Sequence, residues 1–468
     1  MNKIVTISLS ALVLGGLIAP KFVGGQLNDS LHEIVKTVND VPGYTMSIKD
    51  IESNWFSTSA VLVVGITPGT FTQGSYVEME ELTLETEYSA THGPFRFGEH
   101  SGLGWVGWSA KVDGEALREA LEWPLEQAFY QIESSMGLFG GHTYADTITA
   151  FSAKKADEDI SVTFSGYQGE GSYDGQGLEY SAIMRDFTLA SDEVDVTLND
   201  LTLDMLLETS IEEVLANGIY DSSTKMNFAN IDVNIKDEAK KVTLSDLYMT
   251  VATVLEPKEQ LMDMKLAYGV NNLAVDDFAA QDIALEFEMN NLSGEFIQAY
   301  QAESRAIASA NGVADPTKLI EFLNNNLLLL VKANPEVNIT SLRGTLPQGK
   351  FSSHFNTSLV NITSLPAQLA DPSFWLTHAL VDANINGDKA AIEWIATNMM
   401  QIQLAKDPGT AGMTEAEITD LANQQVPAML SMFAQQGFLT ATETNYNSTL
   451  TLKDKALILN DKPIPLPF

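Results

Sequence analysis

Six histidines, His32, His92, His100, His142, His354 and His378, are the side chains best suited to proton transfer or metal ligation, and their spacing supports neither. No H-E-x-x-H motif and no i, i+4 histidine pair occurs, so a zinc site would have to be assembled from distant elements. His92 stands in a His92-Gly93-Pro94 turn, where it reads as packing a strand end. Cysteine is absent, which removes disulfides, thiolate nucleophiles and Cys-based metal sites. Serines abound without a G-x-S-x-G elbow: Gly74-Ser75 and Gly171-Ser172 lack its flanks. With 62 Asp and Glu, adjacent carboxylates arise by chance and carry no glycosidase signal.

The segment Gly166-Tyr167-Gln168-Gly169-Glu170-Gly171, followed by Gly175 and Gly177, offers a superficial phosphate loop. A working one needs a strand before and a helix after, or a Gly-Lys-Ser/Thr ending, and neither is present. Gly-rich β-turns are the expectation there. No catalytic, cofactor-binding or metal-binding residue is assigned, and a hydrolase would rest only on scattered His and Asp.

The elements themselves are more informative. From about Ala182 to Met289 apolar residues alternate with Thr, Asp, Asn and Ser. Val194, Val196 and Leu198 alternate with Asp195, Thr197 and Asn199; after Asp200 the phase resumes with Leu201, Leu203 and Met205. Ile231, Val233 and Ile235 lead through Lys236-Asp237-Glu238 into Val242, Leu244, Leu247 and Met249. Met264, Leu266, Tyr268 and Val270 lead on to Ile283, Leu285, Phe287 and Met289. This period predicts an antiparallel meander with one apolar and one wet face. Burying each aliphatic side chain stabilises by ~1.5–3 kcal/mol, so the apolar face needs a cover, either the chain's own helices or a lipid.

Upstream, Leu27, Leu31, Ile34, Val35 and Val38 predict an amphipathic helix ending at Asn39 to Gly43, with strands at Tyr44 to Ile48, Ser59 to Ile66 and Leu82 to Tyr88. Gly98 to Gly107 reads as a bend between strands. Asp113 to Met136 has a helical pattern broken after Trp123 by Pro124. Downstream, helices are predicted at Gly294 to Ala310, Pro316 to Val331 and Ala390 to Leu404, and strands at Val337 to Leu346, Phe351 to Ile362 and Trp375 to Ile385. Thr414-Glu415-Ala416-Glu417 is a capping box opening a helix that bends near Pro427 and ends before Gly437. Leu450 and Leu452 against Leu457 and Leu459 form a closing hairpin.

The composition is that of a folded chain: 468 residues, 45% hydrophobic and 19% charged. A formal net charge of -36 repels phosphate backbones and disfavours nucleic acid and anionic headgroups as partners. Ile4 to Val23 is almost uncharged, follows Lys3, and matches the ~20 residues that cross a hydrocarbon core. Leu17-Ile18-Ala19-Pro20 is a poor cleavage site, so a retained signal-anchor is favoured over a cleaved signal peptide. The positive-inside bias then puts the N-terminus in the cytoplasm and the body outside.

Asn54-Trp55-Phe56-Ser57, His92-Gly93-Pro94-Phe95 and Leu457-Ile458-Leu459-Asn460-Asp461-Lys462-Pro463, in that order behind the anchor, resemble the YdgA-like family of bacterial envelope proteins. Asn460-Asp461 stands where that pattern has Asn-Gly, a change a turn accommodates. The resemblance implies a Gram-negative inner-membrane anchor and a periplasmic body, with strands similar in style to AsmA-like proteins, and it brings no catalytic residues.

The expected architecture is α+β and mainly antiparallel β: long curved meander sheets with packed amphipathic helices behind one transmembrane helix. Its parts are a signal-anchor at 1–25, an N-terminal α+β region at 26–180, the meander at 181–292 and a C-terminal α+β region with the closing hairpin at 293–468. The expected function is a non-catalytic, single-pass inner-membrane protein binding lipid or a hydrophobic segment on its apolar face. The alternative is an interaction module that pairs with an envelope protein or a second copy.

Overall fold

The structure is a computed structural model and describes residues 31–32, 35–36, 38–39, 44–66, 82–118, 120–155, 160–210, 220–256, 258, 260–309, 316–410 and 412–465. The anchor expected at 1–25 lies outside them. Among the described residues no helix is long and apolar enough to cross a membrane. The chain divides into two compact units, one of residues 1–240 with 298–322 and one of 241–297 with 323–468. The meander expected over 181–292 is thus shared between them.

The N-terminal unit is an antiparallel sheet. Its strands are β1 (Tyr44–Ser53), β2 (Ser57–Ile66), β3 (Leu82–His92), β4 (Phe95–Arg96), β5 (Gly102–Leu103), β6 (Val106–Val112), β7 (Tyr130–Met136), β8 (His142–Ile148), β9 (Phe151–Lys155), β10 (Ile160–Phe164), β11 (Tyr167–Tyr173), β12 (Leu178–Ala190), β13 (Val194–Leu207) and β14 (Ser222–Ile235). The ladder runs from β1 through β2, β3, β6, β7, β8, β11, β12 and β13 to β14. β9 and β10 form a hairpin on the far half of β12, and β4 and β5 pair with each other. Strict alternation buries one face. Tyr130, Ile132, Ser134 and Met136 of β7 share it with His142, Tyr144, Asp146 and Ile148 of β8. One continuous core includes the apolar residues among these together with Leu31 and Val38 from the helical residues near the N-terminus.

The C-terminal unit holds β15 (Lys240–Glu256), β16 (Leu261–Val275), β17 (Phe278–Ser293), β18 (Glu336–Leu346), β19 (Gly349–Leu359), β20 (Ala379–Asp388), β21 (Thr440–Ala441), β22 (Asn445–Lys453), β23 (Ala456–Leu459) and β24 (Lys462–Ile464). All pairings are antiparallel, from β15 through β20 to β22, β23 and β24, with β21 beside β22. Among the described residues, and besides the helical ones near the N-terminus, the α-helices are α1 (Gly294–Ser309), α2 (Pro316–Lys332), α3 (Pro372–His378), α4 (Lys389–Lys406) and α5 (Glu415–Gln436). α5 starts on the expected capping box, with Thr414 and Glu417 satisfying each other's backbone N–H groups, and ends at Gly437 in the left-handed region.

The phase change expected after Asp200 is real and recurs. Asp200, Asp246 and Asp282 have φ of 46°, 53° and 52°. At each the ladder skips one position: Asn199 faces Asn230 and Leu201 faces Phe228; Ser245 faces Asn272 and Leu247 faces Val270; Gln281 faces Asn272 and Ile283 faces Val270. Asp tolerates this left-handed backbone because its short polar side chain bonds locally. Without the jump a strand of this length would turn its apolar set to the wrong side.

Four expectations need correction. The helix over Asp113 to Met136 is a single 3-10 turn at Glu115–Leu117 followed by strand β7. Trp123 and Phe129 pack at 5.3 Å and the Arg118 guanidinium sits 3.9 Å from the Trp123 ring, so tertiary packing overrides the local helical pattern. The Gly-rich segment from Gly166 is strand β11 rather than a set of turns, its glycines lying opposite large rings. Trp375 begins no strand: Asp371 accepts from Ser373 N at 3.0 Å and Pro372 opens α3, so β20 starts only at Ala379. The stretch from Gly98 to Gly107, expected as a bend, contains the small β4 and β5 ladder and the start of β6.

Candidate functional site

In the C-terminal unit the register aligns the apolar residues into rows that cross the sheet. One row runs Val251, Leu266, Phe287, Ile339, Phe355, Ala383, Leu450 and Leu459 across β15 to β23. A second follows Met249, Tyr268, Leu285, Leu342, Ser353 and Ile385. A third follows Met264, Met289, Val337, Thr357, Val381, Leu452 and Leu457. At ~4.8 Å between strands, seven intervals give the first row a length of about 34 Å. The opposite face is polar, carrying the ion pairs of Lys265 with Glu288 at 3.3 Å and Arg343 with Glu286 at 2.7 Å.

Helix α4 covers one end of the apolar face. Ala391, Trp394 and Ile395 pack over Leu273, Phe278, Ile283, Leu346 and Phe351, with Trp394 stacked on Phe278 at 5.0 Å. Gly387 makes this approach possible, since a Cβ there would meet the Ile392 side chain at 2.8 Å. Beyond that end the cover is partial: Leu452 and Leu459 are buried, while others on the face are not. Tyr268, Val337 and Leu342 are exposed, and so are Phe355 (43%) and Ile385 (48%). The sheet-facing stripe of α4, seven residues on from Ile395, continues to an exposed Ile402. What remains is a partly open apolar strip beside helix α4.

The polar chemistry of the chain sits elsewhere. In the N-terminal unit Asp146 is buried, accepting from Tyr180 Oη at 2.8 Å and Tyr130 Oη at 3.4 Å, while the Tyr167 hydroxyl meets that of Tyr180. Burial pushes the Asp146 carboxyl above the usual carboxylate range, against the pull of the two tyrosine hydrogen bonds. The tyrosines are raised as well, first by burial and then by the neighbouring carboxylate. Gly169 faces this cluster and has no room for a Cβ, and Gly171 leaves the space filled by the Tyr144 ring. The arrangement locks the register of β7, β8, β11 and β12 in the interior. Sequence reading missed it; the available signal was Gly alternating in one strand opposite Tyr alternating in its neighbours.

The six histidines stay apart. His100 Nε2 lies 3.1 Å from Ser89 Oγ and 3.4 Å from Ser109 Oγ, and burial lowers its pKa. His142 is buried with Nδ1 unpartnered. His354 pairs with Asp382 at 3.1 Å, His378 Nδ1 contacts Val360 O at 2.8 Å, and His92 ends β3 with its backbone N–H on Phe56 O at 2.9 Å. His32 lies in the helical residues near the N-terminus. Among the described residues no group of three or more His, Asp or Glu converges to hold a metal ion.

A family model described as "Bacterial protein of unknown function (DUF945)" matches residues 1–467. No curated protein and no solved structure matches the chain.

Proposed function

Since the chain belongs to the DUF945 family of bacterial proteins over essentially its whole length, we propose that it is a non-catalytic, membrane-anchored envelope protein whose C-terminal sheet holds an acyl chain or lipid. The observation that carries this reading is the uncovered part of the apolar face, where Tyr268, Leu342, Phe355 and Ile385 stand exposed beside helix α4. The first row, about 34 Å from Val251 to Leu459, exceeds what one leaflet's acyl chain needs, given a hydrocarbon core ~30 Å thick for two leaflets, although Leu459 at its end is buried. The anchor rests on Ile4 to Val23 behind Lys3, and with it the placement of the body on the periplasmic side of the inner membrane.

Pairing of two copies through a sheet edge is the weaker reading. In the C-terminal unit the edge strand β24 has three residues, and its Pro463 offers no N–H to a partner strand; this reading would have to use an edge such as β1.

Lipid analysis of full-length protein extracted gently from native membranes tests the proposal. The expected result is phospholipid or free acyl chain bound to the wild type and lost from Phe355→Glu and Ile385→Glu. Wild-type protein that carries none, or variants that carry as much, would overturn it.

A further inference from the structure

One end of the N-terminal unit is finished by three chain reversals, and each holds large apolar side chains in solvent. The β1–β2 turn presents Trp55 (91% exposed) and Phe56; the connection from β3 to β6 presents Phe97 (81% exposed), Phe95, Leu103 and Trp105; the β7–β8 turn presents Leu138 and Phe139. Hydrogen bonds gather the three into one crown. His92 N donates to Phe56 O at 2.9 Å, Gly93 N to Trp105 O at 2.9 Å and Trp105 N to Met136 O at 3.0 Å, while Trp105 Nε1 donates to Leu138 O at 3.0 Å.

The crown is held rather than loose. Beneath it Arg96 is buried, donates to Ser135 Oγ at 2.9 Å, and occupies the space that a Cβ on Gly107 would need. Lys111 pairs with Glu99 at 2.6 Å, and His100 rests on Ser89. These contacts tie the β3–β6 connection, which carries four of the exposed apolar side chains, to β3, β6 and β7. A contiguous apolar patch of this kind marks a contact surface.

Charge and shape select the partner. Residues 53–57 and 137–141 contain no ionisable side chain, and between 92 and 105 the only Arg and Glu are the buried Arg96 and the Lys-paired Glu99. On a chain of net charge -36, this end presents a nearly neutral tip, which suits neither an anionic headgroup nor a basic protein. Side chains standing almost fully free at turn tips are convex, and a protein partner would need a preformed pocket for each. A lipid interface deforms around them, and it is where Trp rings settle between hydrocarbon and water.

We propose that this crown is a membrane-interface contact, seating Trp55, Phe97, Trp105 and Phe139 in the headgroup region of a zwitterionic bilayer. It rests on the anchored reading above only for the supply of the bilayer and is independent of lipid on the C-terminal sheet.

Full-length protein reconstituted into phosphatidylcholine vesicles, with and without dibrominated phosphatidylcholine, tests it through tryptophan emission. The brominated lipid is expected to quench the wild type, and Trp55→Phe/Trp105→Phe is expected to lose most of that quenching while co-floating equally with the vesicles. Phe97→Ser/Phe139→Ser, at two exposed positions that leave the core intact, is expected to reduce it as well. Co-flotation with quenching that the double tryptophan variant leaves unchanged would overturn the crown and spare the anchor. Failure to co-float would overturn both.

Discussion

The Tyr180 hydroxyl donates to Asp146 Oδ1 across 2.8 Å inside the buried face of the N-terminal sheet, and this bond puts a carboxylate where hydrocarbon would be expected. Because burial raises the Asp146 pKa in the folded state, the folded protein keeps this proton to higher pH than the unfolded chain does. The unfolding free energy that this group contributes therefore falls as pH rises from about 4, the unfolded value, through the raised folded value. Asp146→Asn removes the titration. Its denaturation midpoint relative to wild type should climb between acidic and neutral pH. A constant difference across that range would show that Asp146 does not titrate in this way.

Gly169 carries a second consequence of the same cluster. A methyl group there would collide with the Tyr180 hydroxyl and Asp146 Oδ1. Gly169→Ala should destabilise by about 2–3 kcal/mol through overpacking, although Ala is the better residue for an ordinary strand. Chemical denaturation measures it, and a neutral result would mean that the tyrosine cluster moves freely.

Much of the C-terminal sheet was legible in its sequence because period-two alternation has one meaning over long runs. The rows through Leu266, Phe287 and Ile339 follow directly once the turns are placed, and the jump at Asp200 was visible as a broken phase. Tyr130 to Met136 was not legible, since Glu115 to Trp123 upstream supplies helix formers and only the packing of Trp123 on Phe129 shows that the helix stops after one turn. The site was half legible. An apolar face needing cover could be read, whereas the extent of that cover depends on where α4 lies. The aromatic crown was hidden because exposure of Trp55 and Phe97 is a property of the turns' tertiary placement, not of residue type.

The left-handed positions give a sharp test of the phase-jump reading. Asp200→Gly adopts φ 46° without strain and should change stability by less than ~0.5 kcal/mol. Asp200→Val must hold a β-branched residue there and should cost about 1–2 kcal/mol or more. If both variants unfold alike, backbone conformation at Asp200 is not what sets the change of apolar face along β13.

At the start of α5, Thr414 Oγ1 accepts from Glu417 N at 3.3 Å and Glu417 Oε2 accepts from Thr414 N at 2.8 Å. Those backbone N–H groups have no intrahelical partner, so Thr414→Ala should cost about 1 kcal/mol. The bonds from Thr414 hold the Glu417 carboxyl below its usual range, so the box weakens as pH drops through that lowered value. Thermal unfolding near neutral pH and in acid should show the wild-type advantage shrinking in acid.

The covered and open ends of the apolar face should respond oppositely to substitution. Leu346 is buried in the cluster with Ala280 and Ala391 under α4, so Leu346→Ala should cost about 2–4 kcal/mol by leaving a cavity. Phe355 and Ile385 lie on the same face but beyond the helix, and Phe355→Ser or Ile385→Ser should alter the stability of delipidated protein by less than ~1 kcal/mol. The difference separates a face sealed by its own helix from one completed by a ligand. Were Phe355→Ser as costly as Leu346→Ala in delipidated protein, the open strip would already be packed by the chain itself, and no hydrocarbon would be needed to cover it.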